Sequence, residues 1–172
     1  MSQQTQNLMK KISLAKVVLN MGVGKSGEPI EIGKKTLVQI TGKKPNERNA
    51  KKSQRDWGVR KGEPIGIAVT VRGNDATELL KKLLVVKDNQ IAEKAFDNEG
   101  NLSFGIKEHI DIPGIKYDPK IGILGLEVSI SLARPGFNIK FNKSKARVGK
   151  NHRITKNDAI KFFTEEFGVK VV

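Results

Sequence analysis

Apolar and polar residues alternate along several stretches of the chain. The longest runs over 124–133, where Leu124, Leu126, Val128, Ile130 and Leu132 interleave with Gly125, Glu127, Ser129, Ser131 and Ala133. A period of two predicts a strand with one buried face. The stretch 65–72 repeats the pattern, with Ile65, Ile67, Val69 and Val71 inward and Gly66, Ala68, Thr70 and Arg72 outward. Leu102, Phe104 and Ile106 give a third strand over 102–107. In 14–20, Val17 and Leu19 oppose Lys16, Val18 and Asn20. Three stretches instead show helical spacing. In 30–41, Ile30, Leu37, Val38 and Thr41 share a side and Gly42 is the stop. Asn74 or Asp75 caps a helix striped by Ala76, Leu79, Leu80, Leu83 and Leu84. Thr155, with Asp158 three residues on, opens a last helix through Ile160, Phe163 and Phe167, and Gly168 closes it. Residues 88–97 read as a further short helix.

The order is strand, helix, loop excursion, strand, helix, strand, strand, helix. Alternating strands bury one sheet face, so the helices must cover that face. The class is α+β: a mainly antiparallel sheet with helices packed on one face. No linker or repeat divides the chain, and 1–172 reads as a single domain. The outward face is made of small and polar groups: Asn20, Gly66, Ala68, Thr70, Ser103, Gly105, Ser129 and Ser131. It is either plain solvent-facing surface or a floor low enough for a nucleic-acid backbone. Aromatic groups that would stack splayed bases are absent from it, so an RNA contact there is to backbone and groove.

Charge changes this picture more than overall composition does. The net charge is +14, and it is concentrated. Lys43–Lys61 holds eight Lys/Arg against Glu47 and Asp56, and Arg134–Lys156 holds eight and no acid. The remainder is neutral. A neutral body with two basic segments is the footprint of a polyanion binder, against the plainer reading of two solvated loops. Residues 49–62, most of them in the first segment, read as a protruding, mobile loop. The sequence has no cysteine, which excludes disulfides, cysteine-based zinc sites and a cysteine nucleophile. The N-terminal residues lack the apolar core of a secretory signal, and no apolar run is long enough to span a bilayer. The expectation is a cytoplasmic protein with no membrane association and no cofactor.

Few residues suggest catalysis. Gly22, Gly24 and Gly27 fit the spacing of a dinucleotide-binding turn, which would make the chain a nucleotide-dependent enzyme. That reading needs a second, apolar, parallel strand after the helix, and the polar segment 43–61 stands there instead. The turn could also bring backbone close to phosphate, or be simply tight. His109 and His152 have no nucleophile or ligand partner at useful spacing, and the acids form no paired-carboxylate site. His109 reads as structural. His152, within the second basic segment, could meet phosphate. Trp57, the single tryptophan, could stack on a base or ribose or anchor its loop onto the core.

The runs KVVLNMGVGKSGE, ITGKKP followed by AKKSQRDWGVRKGEPIGIAVTVRG, GNLSFGIKEHIDIPGIKYDP and the tail RPGF with KNHRITKNDAIKFF resemble the large-subunit ribosomal protein five family. The resemblance covers nearly the whole chain. RPGF and HRIT are similar to the archaeal and eukaryotic branch, and the absence of cysteine and the short N-terminus favour the archaeal type. The resemblance implies a structural protein that binds 5S rRNA and attaches it in the central protuberance of the large ribosomal subunit.

It also implies sites. Family RNA-contact positions fall on Asn20, Lys43, Trp57 and Thr70. Lys43 stands where bacterial members often have Gln, and Trp57 where many have Phe. Neighbouring Lys25, Lys44, Lys51 and Arg72 join the rRNA set. The loop bearing Lys52, Gln54, Arg55, Asp56, Arg60 and Lys61 is implied to reach P-site tRNA. Another surface is implied to approach a protein of the small-subunit head. Lys143, Lys145, Arg147, Lys150, His152 and Arg153 are expected to contact phosphates of 5S rRNA or 23S rRNA, or a neighbouring ribosomal protein. A free RNA chaperone on the same sheet is the remaining alternative.

Overall fold

In a computed structural model, described for residues 7–24, 26–115, 122–141 and 146–172, five strands form an antiparallel sheet. They are β1 (Ser13–Gly22), β2 (Asn46–Asn49), β3 (Pro64–Val71), β5 (Leu102–Ile106) and β6 (Leu126–Ala133), in the order β2-β3-β1-β6-β5. Short β4 (Gln90–Ile91) and β7 (Lys170–Val171) pair in parallel as a separate two-stranded sheet. The helices are α1 (Glu28–Thr41), α2 (Asn74–Val85) and α3 (Lys156–Phe167). The α+β expectation holds.

The core lies between the helices and one sheet face. Val17, Leu19 and Met21 of β1, Ile67, Val69 and Val71 of β3, and Leu126, Val128, Ile130 and Leu132 of β6 are all buried there. The α2 stripe is buried as its period requires, and Phe163 of α3 packs edge-on against Phe96 at 5.7 Å. A register shift between Leu14 and Lys16 inserts a bulge in β1. Leu14 and Val17, three apart, therefore both pack on the core.

Other expectations are corrected. In α1 the expected Ile30 and Leu37 are buried, but Val38 is 44% exposed and Thr41 only half-buried, and Gly33 and Thr36 complete the buried side. The N-cap of α2 is Gly73, not Asn74 or Asp75. Residues 88–97 are no helix: Asp88 and Asn89 take φ of 52° and 54°, which break it, and β4 and one 3₁₀ turn follow. The strand expected over 124–133, β6, begins at Leu126 rather than Leu124, because Leu124 leaves the ladder to bond His109. The predicted capping box is present, with Asp158 N–H donating to Thr155 Oγ1 and Thr155 N–H to Asp158 Oδ2.

The first basic segment is not wholly a loop. Its Asn46–Asn49 forms the edge strand β2, all four residues exposed. Beyond it the chain continues as an irregular hairpin. Ala50 N–H donates to Glu63 O and Gly62 N–H to Ala50 O. Gln54 and Val59 bridge around the turn Arg55–Trp57. Gly58, at φ 66°, closes that turn in a conformation costly for residues with a Cβ. The hairpin thus has backbone hydrogen bonds of its own, where lack of periodicity predicts a featureless mobile loop.

Candidate nucleic-acid interface

The helix-free face can be read row by row from the register. Asn46, Ala68, Asn20, Glu127 and Gly105 are successive cross-strand partners, one from each strand. Thr70, Val18, Ser129 and Ser103 form the next row, and Lys16 faces Ser131 beyond it. On the other side lie Arg48, Gly66 and Gly22. This is the outward set expected from alternation. Gly66 and Ala68 are buried nonetheless, because strands flank them on both sides. A Cβ on Gly66 would stand 3.1 Å from Met21 O. Alternation missed Asn46 and Arg48, whose strand is too short and polar to show a period.

Asn20 and Thr70 therefore share the open face in adjacent rows. The Asn20 side chain is held: its Nδ2 donates to Glu127 Oε2 at 3.3 Å. Arg72, exposed, follows β3 at the end of the sheet. There a groove of about 890 Å³ opens. Lys16, Arg72 and Ser131 line it from the sheet, and Arg147, Lys150 and Arg153 from the second basic segment. The structure thus brings together groups far apart in sequence, and adds Lys16.

Other cations of the two segments are already engaged. Arg134 bonds Asp158 at 3.1 Å and donates to Arg153 O, with its side chain only 11% exposed. Lys140 meets Glu99 at 3.5 Å and Lys156 meets Glu93 at 2.7 Å. Lys43, expected at RNA, lies 2.7 Å from Asp75 in the first turn of α2. Hydrogen bonding to Lys43, with its charge, lowers the Asp75 pKa below the ordinary carboxylate value. An acid-free stretch of sequence is thus partly neutralised by acids folded against it. Lys44, Lys51, Lys52, Arg55, Arg60, Lys61, Arg147, Lys150 and Arg153 have no ion pair among the described residues. Lys25, Lys143 and Lys145 lie outside the described residues.

His152 is committed as well. Its Nε2 lies 2.8 Å from Pro135 O, and its ring stands edge-on to Phe137 at 5.5 Å. This nitrogen ties the segment together and is not free for phosphate. His109 is buried and structural, as expected, with Nδ1 accepting from Leu124 N–H. Trp57 is 76% exposed. It does not anchor the hairpin to the core, and its ring is open for stacking. Gln54 and Asp56 flank it at the tip, both exposed.

The glycine turn does not lead into a βαβ unit. Gly24 and Gly27 take positive φ, but β1 and β2 are separated by β3, and β2 runs antiparallel to it. The parallel neighbour required by a dinucleotide fold is absent among the described residues.

An α+β module with one bare polar sheet face beside a cationic groove is built to lie along a polyanion. Comparison with known proteins is more particular. The profile described as Ribosomal protein L5 matches residues 7–60, and the profile for the C-terminus of the same ribosomal family matches 64–162. The large ribosomal subunit protein uL5 of Nitrosopumilus maritimus is 64% identical over 172 residues, covering 99% of each chain. That of Cenarchaeum symbiosum is 59% identical over 165 residues, covering 95% of this chain and 98% of its own. That of Sulfolobus acidocaldarius is 45% identical over 168 residues, covering 97% and 94%. The chain belongs to the ribosomal protein L5 family.

Proposed function

We propose that this protein is a structural, non-enzymatic component of the large ribosomal subunit that binds 5S rRNA and holds it in the central protuberance. The observation that carries this reading is the open sheet face. The family contact positions Asn20 and Thr70 stand on it in adjacent rows, small side chains leave it accessible, and the groove cations stand at its end. Phosphate contacts fix orientation while the polar face reads sugar and groove edges. Lys44, Lys51 and Arg72 supply further phosphate contacts, and Lys43 does so by exchanging Asp75 for RNA.

The hairpin is separate in role. Its Lys52, Arg55, Arg60 and Lys61 are exposed around Trp57, and on this reading they reach P-site tRNA with Gln54 and Asp56. The arginines and lysine of the groove meet 5S rRNA or adjoining 23S rRNA. The surface toward the small-subunit head is a protein contact. The test is a gel-shift series with 5S rRNA, 23S rRNA fragments and tRNA at stepped salt. Preferential retention of 5S rRNA, with affinity falling several decades per decade of salt, is expected. Equal affinity for all three, or none for 5S rRNA, refutes the assignment.

A further inference from the structure

The open face carries an acid where a surface meant for a polyanion should carry none. Glu127 stands within it beside the central Asn20, the fourth member of the row Asn46, Ala68, Asn20, Glu127, Gly105. It is exposed, and a Cβ on neighbouring Gly105 would have nothing within 4 Å. The carboxylate is therefore open from the Gly105 side and cannot be avoided by a ligand lying across the row. A carboxylate only accepts hydrogen bonds, so the Asn20 amide must turn its Nδ2 toward Glu127, as it does at 3.3 Å. Asn20 Oδ1 and the second Nδ2 hydrogen are then left for a ligand. Beside that amide, the Glu127 carboxylate offers acceptors only and repels phosphate.

We infer that Glu127 is a positioning and specificity residue: with Asn20 it forms an acceptor pair that takes a hydrogen-bond donor from the RNA in place of a phosphate. Two groups in the shallow groove of an RNA helix supply such a donor, the ribose 2′-hydroxyl and the guanine exocyclic amine. Cations stand at the rim, with Arg48 at one end of the face and Lys16 with Arg72 at the other, where phosphates can go. Glu127 therefore discriminates between ligands of equal charge. The inference rests on the proposed RNA-binding reading and goes beyond it.

The test turns on a sign. If Glu127 is only a surface charge, Glu127→Gln and Glu127→Ala should both tighten binding to 5S rRNA, by similar amounts. If it is a positioning residue, Glu127→Ala should weaken binding about tenfold, the scale of a lost charge-assisted hydrogen bond. Glu127→Gln, which keeps one acceptor, should fall between. Thermal melts report whether each variant folds, and an exposed side chain predicts no shift. Interference mapping on 5S rRNA then identifies the donor. Wild type should show a nucleotide at which 2′-deoxy substitution, or inosine for guanosine, impairs binding, and Glu127→Ala should erase that signal. The first arm assigns the hydroxyl and the second the amine. Tighter binding by both variants, or identical interference maps for wild type and Glu127→Ala, overturns the inference while leaving the RNA-binding reading standing. Failure of the wild-type protein to bind 5S rRNA overturns both.

Discussion

Neutralising the groove should change the salt dependence of RNA binding by a calculable amount. Arg147, Lys150 and Arg153 are exposed and without carboxylate partners among the described residues. If each meets one phosphate, each contributes about 0.7–0.9 to the slope of log affinity against log salt. Replacing all three by Gln should therefore flatten the slope by about 2–3. Between 50 and 200 mM salt the affinity loss of the triple variant should be smaller by roughly 40-fold than that of wild type, at 0.9 per contact. The control is Lys156→Gln. Lys156 belongs to the same segment by sequence, but it lies 2.7 Å from Glu93 and away from the groove lining, so its removal should leave the slope nearly unchanged. Filter binding of labelled 5S rRNA at five salt concentrations measures both. Equal slopes for wild type and the triple variant, or an equal drop for Lys156→Gln, would refute the division of cations into free and engaged.

Asn20→Ala and Thr70→Ala should each weaken 5S rRNA binding by about 1 kcal/mol while leaving thermal melts almost unchanged, since both side chains lie on the open face; unfolding of either would mean the faces are inverted. Replacing Lys52–Asp56 by a short Gly-Ser link removes the Gln54–Val59 bridge and the Ser53 contact to Lys61 N–H. It spares the Ala50–Glu63 closure, so 5S affinity should survive while P-site tRNA retention in reconstituted ribosomes falls. The Lys43–Asp75 pair should show a pH dependence of stability. Asp75 has a folded pKa lowered by its hydrogen bond to Lys43, so the pair's contribution is present above the unfolded carboxylate range and lost as pH falls through the folded value. The melting difference between wild type and Lys43→Ala should accordingly be small near pH 7 and vanish once the pH has fallen through the lowered Asp75 value; a difference that grows on acidification would refute the pairing.

The parts of the fold legible in sequence are those where one periodicity acts alone. The strands β3, β5 and β6 each have one wet and one dry face, and the α2 stripe and the Thr155–Asp158 box are local patterns. The illegible parts are set by neighbours. β2 is polar on both faces and exists because β3 offers it an unpaired edge. The bulge in β1 hides the inward Leu14 from a strict period of two. Asp88 and Asn89 end a helical pattern through backbone conformation rather than residue class. The site divides similarly. Asn20 and Thr70 fall on the open face by parity alone. The engagement of Lys43, Arg134, Lys140 and Lys156 instead depends on acids distant in sequence, Asp75, Asp158, Glu99 and Glu93, being folded against them. Lys16 and Glu127 were visible as outward residues, but nothing local marked one as a groove wall and the other as the partner of Asn20.

The distribution of charge over the folded surface bears on how an RNA would lie there. The sixteen cations of the two segments suggest, by count, a uniformly positive module. Folding removes that uniformity. Arg134 is drawn inward, where Asp158 serves both it and the cap of α3, and it becomes a strut holding the second segment against the helix. The unpaired cations remain at the periphery, in the hairpin on one side and the groove on the other. Between them lie hydroxyls, glycines and one amide–carboxylate pair. Five strands at about 4.8 Å spacing make this cation-poor floor roughly 20 Å across. On the proposed reading, a surface with cations at its edges and acceptors in its middle fits a ligand with phosphates at its edges and donors in its middle. An RNA helix presents this arrangement across its shallow groove. A single strand laid on the same floor would instead need aromatic platforms, and the exposed Trp57 lies off it, in the hairpin. The balance of the face therefore favours helical RNA over unpaired RNA, and the hairpin is the element left to engage a second ligand.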